Sequence, residues 1–138
     1  MAPLTLNDFL GEWRIERRID DILSGNVGML AGTATFSPAP QGLAYLETGK
    51  LSLDGGAPLH AERRYLWRLG RGRIHVDYAD HTPFHSFDPS KERTSARHNC
   101  APDDYRVIYT FGHWPHWRAN WRVEGPRKNY RMTTEYRR

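Results

Sequence analysis

A single cysteine, Cys100, in 138 residues excludes an intramolecular disulfide. No apolar run is long enough for a signal peptide or a membrane span. A reducing, cytoplasmic setting is therefore the expectation. Leu, Ile and Val are sparse for a helical protein. Acidic residues are scarce in the last third, where Tyr105 to Arg138 carries eight Arg or Lys against two Glu. Nucleophile elbows, phosphate loops, H-E-x-x-H and C-x-x-C are all missing, and the enzyme classes they define go with them.

Aromatics are plentiful. Five Trp and seven Tyr, with β-branched residues, suit the core of a sheet better than that of a bundle. Twelve Gly and nine Pro punctuate the chain at short intervals, as many short strands require. The length fits one domain, 1–138, with no linker, repeat or low-complexity segment.

The segment Leu4 to Gly11 can make one helical turn, with Thr5 or Asn7 as cap. After it, strands are predicted over 12–20, 27–36, 43–53, 59–69, 72–78, 83–88, 95–100, 104–111, 116–124 and 128–137. The breaks carry turn residues, such as "SPAPQG", "DGGAP" and "EGPRK". Polarity alternates with period two. Trp13, Ile15, Arg17 and Ile19 share one face, and Arg14, Glu16 and Arg18 the other. About ten strands in a meander have edges to hide, and closure into one antiparallel up-and-down β-barrel hides them.

Parity and turn geometry select an inward set. A type II′ turn at Gly70-Arg71 pairs Trp67 with Ile74 and Tyr65 with Val76. A turn at Asp80-His81 pairs Val76 with His85 and Ile74 with Phe87. A connection symmetric about Lys91-Glu92 sets His85 across from His98, with Cys100 on the same face. Asp77 and Asp88 then face solvent. Arg17, Glu47 and Arg63 fall inward among aromatics. Buried charge is costly unless paired or solvated, so a polar, water-containing cavity is expected. The candidate ligand-binding residues are Arg17, Arg63, Tyr65, Trp67, Tyr78, His85, His98, Cys100, Tyr105, Trp121 and Tyr130. The arginines and histidines would orient a polar head, and the rings would hold the body of a small amphipathic or anionic ligand.

Two further readings stand beside this one. His85, His98 and Cys100 could serve acid–base, thiolate or metal-assisted catalysis, although no metal-ligand spacing marks them and no metal site is assigned. Arg118, Arg122, Arg131 and Arg137 form an outward stripe that could hold an interaction partner. Nucleic acid is not expected there, because a nucleic-acid platform needs stacking rings beside its basic groups. Here the aromatics point the other way, and the stripe also keeps a barrel soluble. "HWPHW" reads as a turn whose indoles cover one barrel end. Arg127 and Lys128 sit in the last hairpin turn.

Gly11-Glu12-Trp13, after a short turn and opening the first strand, resembles the G-x-W signature of lipocalin-like barrels. The resemblance implies a calycin fold in which the Trp closes the floor and packs near an arginine from a late strand. Arg131 is one of several that could supply it. In size and strand count the chain is similar to fatty-acid-binding and nitrobindin-like barrels. Nitrobindin-like barrels hold haem through a histidine near the C-terminal end. The last histidine here is His116, ahead of the final two predicted strands, so haem is not carried over and the cofactor stays open. More narrowly, "AERRYLWR", "PFHSFD" and "GPRKNYRM" resemble a small bacterial family of unknown function, which implies a fold and no activity.

Overall fold

The computed structural model describes residues 3–138. A 3-10 turn over Leu6–Phe9 follows Thr5, whose backbone N–H donates to the Asp8 carboxylate at 2.6 Å. Ten antiparallel strands follow. They are β1 (Gly11–Asp21), β2 (Val27–Ala39), β3 (Gly42–Leu53), β4 (Leu59–Gly70), β5 (Arg73–Tyr78), β6 (Pro83–Phe87), β7 (Arg93–Cys100), β8 (Asp103–His113), β9 (His116–Gly125) and β10 (Lys128–Arg137). All ten predicted strands are present, seven of them one to three residues longer than expected, β5 and β6 one residue shorter and β10 as expected.

The strand order is β6-β5-β4-β3-β2-β1-β10-β9-β8-β7. The β1–β10 pairing, with Ile15 opposite Tyr136 and Arg17 opposite Thr134, rolls the meander into a barrel. No ladder joins β6 to β7, so the barrel is nearly closed, with one seam. The expected hairpin across residues 83–100 is therefore absent. Its connection instead hydrogen-bonds to the far end of β8, where the Phe111 N–H donates to the Glu92 carbonyl at 2.6 Å.

Inward residues of β1, β8 and β9 are buried in alternation, Trp13, Ile15 and Arg17 in the first, Val107, Tyr109 and Phe111 in the second, Trp117 and Ala119 in the third. One end is plugged. Phe9 meets Trp114 and Trp117 edge-on at 5.0 and 5.4 Å, and the Trp13 Nε1–H donates to the Phe9 carbonyl at 2.9 Å.

Two registers differ from expectation. The β4–β5 turn has positive φ at both Arg71 and Gly72, which is type I′ rather than II′. Trp67 therefore faces Val76, and Tyr65 faces Tyr78. The pairing moves by two residues, so no side chain changes face. Between β5 and β6, Val76 faces His85, but Asp77 faces Pro83. Phe84 is an extra residue in a bulge. Pro83 has no N–H to give a ladder, and a strand start or bulge is where proline is tolerated. Asp77 is not at the surface as expected, but 6% exposed, and it accepts from Arg68 Nε at 2.8 Å.

Candidate functional site

Above the aromatic plug, the barrel holds a cavity of about 240 Å³. Arg17, Glu47, Arg63, His85 and Trp121 line it, together with all seven tyrosines of the chain. It opens at the end away from Phe9. Arg63 is exposed there, and Tyr65, Tyr78, Tyr105 and Tyr130 are half-buried.

Arg17 projects inward from β1 because it continues the face of Trp13 and Ile15. Glu47 does the same from β3, following Leu43 and Tyr45. The two meet in a bidentate ion pair, with Nη1 and Nη2 donating to the Glu47 carboxylate at 2.6 and 2.7 Å. Arg17 is 5% exposed and Glu47 3%. Such a pair persists only if the remaining polar atoms are also satisfied. Arg17 Nε–H donates to Thr134 Oγ1 at 2.7 Å, and the Tyr45 hydroxyl donates to Glu47 Oε1 at 2.7 Å. With its proton committed there, Tyr45 accepts from the Tyr136 hydroxyl at 3.0 Å. Burial opposes both charges. The hydrogen bonds and charge of the partner outweigh it, so the Arg17 guanidinium is held further above its usual range and the Glu47 carboxyl below its own. Arg63, opposite Glu47 across β3 and β4, adds to the second effect.

His85 is the second deep polar group, 8% exposed. Its Nε2 lies 2.8 Å from the Tyr109 hydroxyl, while Nδ1 is buried without a partner among the described residues. Burial, then the nearby His98, lowers its pKa to about 3, so the ring is neutral at pH 7. Burial raises Tyr109 well above the ordinary phenol value and Tyr136 to about 12. Trp121 stacks on Phe84 at 5.1 Å, and Phe84 on Tyr78 at 4.6 Å.

Nine of the eleven anticipated residues line this cavity: Arg17, Arg63, Tyr65, Trp67, Tyr78, His85, Tyr105, Trp121 and Tyr130. Arg63 does so from the exposed rim rather than from the interior. His98 sits at the seam, half-buried among the rings of Phe84, Tyr78 and Tyr105, and faces no ladder partner on β6. Cys100 corrects the inward expectation outright, because it is exposed at the end of β7. His85, His98 and Cys100 are thus not gathered around one point. Among the described residues no three His, Cys, Asp or Glu side chains converge as a metal site would need.

Tyr45, Phe84, Tyr109, Thr134 and Tyr136 complete the site without having been singled out for it. Tyr45, Tyr109, Thr134 and Tyr136 share strand parity with Glu47, Tyr105 and Tyr130, the inward residues of the same strands. Phe84 gave no such signal, since the bulge points it and His85 to the same side. On the outer wall, Arg118 pairs with Glu135 at 2.6 Å and Arg122 with Glu124 at 3.0 Å, while Arg131 and Arg137 are exposed.

The profile of a family of unknown function, DUF6314, matches residues 9–138. The chain belongs to that family. Nothing matches among the curated proteins. Of solved structures, an S-type phycobiliprotein lyase, CPES, from Guillardia theta is similar at 7% identity and a TM-score of 0.59, with 95% of this chain and 87% of that one covered. A redesigned β-barrel, mFAP1, bound to DFHBI is similar at 11% identity and a TM-score of 0.47, with 96% and 97% covered. The likeness to the lyase places this DUF6314 member in a lipocalin-like barrel architecture and says nothing more. Among the described residues no helix is long and apolar enough to cross a membrane.

Proposed function

We propose that this protein binds a small amphipathic or anionic organic molecule inside its barrel. The observation that carries the reading is an open cavity of about 240 Å³ in which polar groups sit deep among aromatic rings. A barrel needing only stability is better served by apolar filling than by an ion pair and a neutral histidine. The volume is that of about eight liquid waters, room for a molecule of one or two rings. Tyrosine and tryptophan offer such a molecule both a ring face and a hydrogen-bonding edge. In this reading the whole chain acts as one barrel domain, and the free thiol suits a reducing compartment such as the cytoplasm.

Native mass spectrometry of the protein as purified tests this. The expected result is a retained small molecule whose mass is lost on denaturation. A bare mass from several expression hosts, with no thermal shift from a panel of aromatic acids and neutral heterocycles, would reject the reading.

A further inference from the structure

We propose that the ligand is a flat aromatic molecule carrying one oxyanion, held at the cavity mouth by Arg63 with the hydroxyls of Tyr65, Tyr78 and Tyr130. This rests on the cavity being a ligand site and names the class of molecule it takes.

Charge comes first. Four groups other than phenols can carry charge at the cavity wall: Arg17, Glu47, Arg63 and His85. Arg17 and Glu47 cancel in their bidentate pair. His85 is neutral, and phenols are uncharged at pH 7. Arg63 remains, leaving the cavity one positive charge. Lys128, outside the wall, is committed to Asp103 at 3.2 Å and the Tyr105 hydroxyl at 3.0 Å, and so adds no net charge. His98 stands at the seam among rings.

Hydrogen bonding points to the same end. The hydroxyls of Tyr45, Tyr105, Tyr109 and Tyr136 all have protein partners. Those of Tyr65, Tyr78 and Tyr130 have none among the described residues, and neither does the Arg63 guanidinium. These four groups are also close together. Tyr65 lies opposite Tyr78, Arg63 precedes Tyr65 by two residues on the same face, and the charge of Arg63 acts on Tyr130. A guanidinium fork beside phenol donors matches a carboxylate, sulfonate or phosphate oxygen pair. A single uncompensated cation matches a monoanion.

Ring orientation sets the shape. Tyr65, Tyr78 and Trp121 lie within 22°, 22° and 10° of the plane of Phe84. Tyr65 and Tyr78 tilt 44° from each other about that plane, and the rings that follow Phe84 offer a flat body a face for offset stacking.

Calorimetric titration of the full-length protein with 2-naphthoate and with its uncharged isostere 2-naphthamide reads the charge preference on a constant ring. The naphthoate is expected to bind about tenfold tighter. Arg63→Gln, an exposed position away from the packed interior, is expected to erase that gap and leave naphthamide unchanged. Tyr130→Phe is expected to narrow it about threefold. Equal affinities in the wild type, or a gap that survives Arg63→Gln, overturn the assignment while leaving cavity binding intact. Binding of neither compound removes the cavity reading itself, and this inference with it.

Discussion

The Arg138 guanidinium lies 3.9 Å over the centre of the Trp13 ring. The same guanidinium donates through Nη2 to the carbonyls of Asp8 and Leu10, at 2.9 and 2.6 Å. One cation thus clamps the floor tryptophan and the 3-10 turn together. The late arginine expected beside the Trp of the G-x-W signature is Arg138, one residue past β10, and not Arg131, which lies opposite Asp20 on the outer face. Arg138→Ala is expected to cost about 1–2 kcal/mol in urea unfolding, a cation–π contact plus charge-assisted bonds at an exposed site. Arg131→Ala is expected to cost less than about 0.5 kcal/mol. Equal costs for the two would refute the clamp.

Glu47 and Arg17 form a pair whose halves are worth more together than apart. Glu47→Gln leaves a buried guanidinium without its counter-charge, and the expected cost is about 3–5 kcal/mol. Replacing both, as Arg17→Met with Glu47→Leu, removes the need for compensation and is expected to recover most of that loss. A double-mutant cycle by chemical denaturation measures the coupling. Additive single costs would mean that the two groups are solvated separately.

Acid should reveal His85. Its folded-state pKa, about 3, is below the unfolded value of about 6.5. The unfolded chain therefore takes up the proton first as pH falls. Stability contributed by the neutral ring is complete above pH 6.5 and is lost progressively from there towards pH 3. Between pH 6.5 and 4.5 the loss is expected to be about 2–3 kcal/mol. Glu47 and Asp104 are held below their ordinary values by their arginine partners against the opposing effect of burial, so they resist protonation as pH falls through that window. His85→Gln is expected to flatten the slope even if it lowers the plateau. A wild-type stability curve that stays level from pH 6.5 to 4.5 would show that the ring is solvated.

These groups differ in how far the sequence reveals them. Arg17 and Glu47 can be placed inward because alternation is local, each residue being judged against neighbours two positions away. Their contact is another matter. The two side chains lie on β1 and β3 with β2 between them, and Ala34 of β2 faces Glu47. Which inward groups meet across an intervening strand depends on barrel tilt and stagger, which no local pattern encodes. Phe84 escapes parity because one extra residue sits between Pro83 and His85. The seam escapes because the connection about Lys91-Glu92 carries the turn residues of an ordinary hairpin loop. Asp88 instead accepts from the Ser90 N–H and hydroxyl at 2.9 and 2.6 Å, a local turn that sends the chain on without pairing β6 to β7.

The end of β7 supplies the last test. Cys100 shares strand parity with Ala96 and His98, which makes it inward on paper. Burial falls along that face, from half-buried Ala96 and His98 to exposed Cys100, because β7 borders the seam and its last residues reach the mouth. Only one neighbouring strand covers it, with Cys100 opposite Asp103 on β8. An exposed thiol reacts at a rate set by its thiolate fraction rather than by unfolding. Ellman's reagent is therefore expected to titrate Cys100 in the folded protein at pH 8, within about threefold of the rate in urea. Because Cys100 does not line the cavity, Cys100→Ser is expected to leave 2-naphthoate affinity unchanged within about twofold. A thiol that reacts only after unfolding would restore the inward placement, and with it a role for Cys100 beside His98.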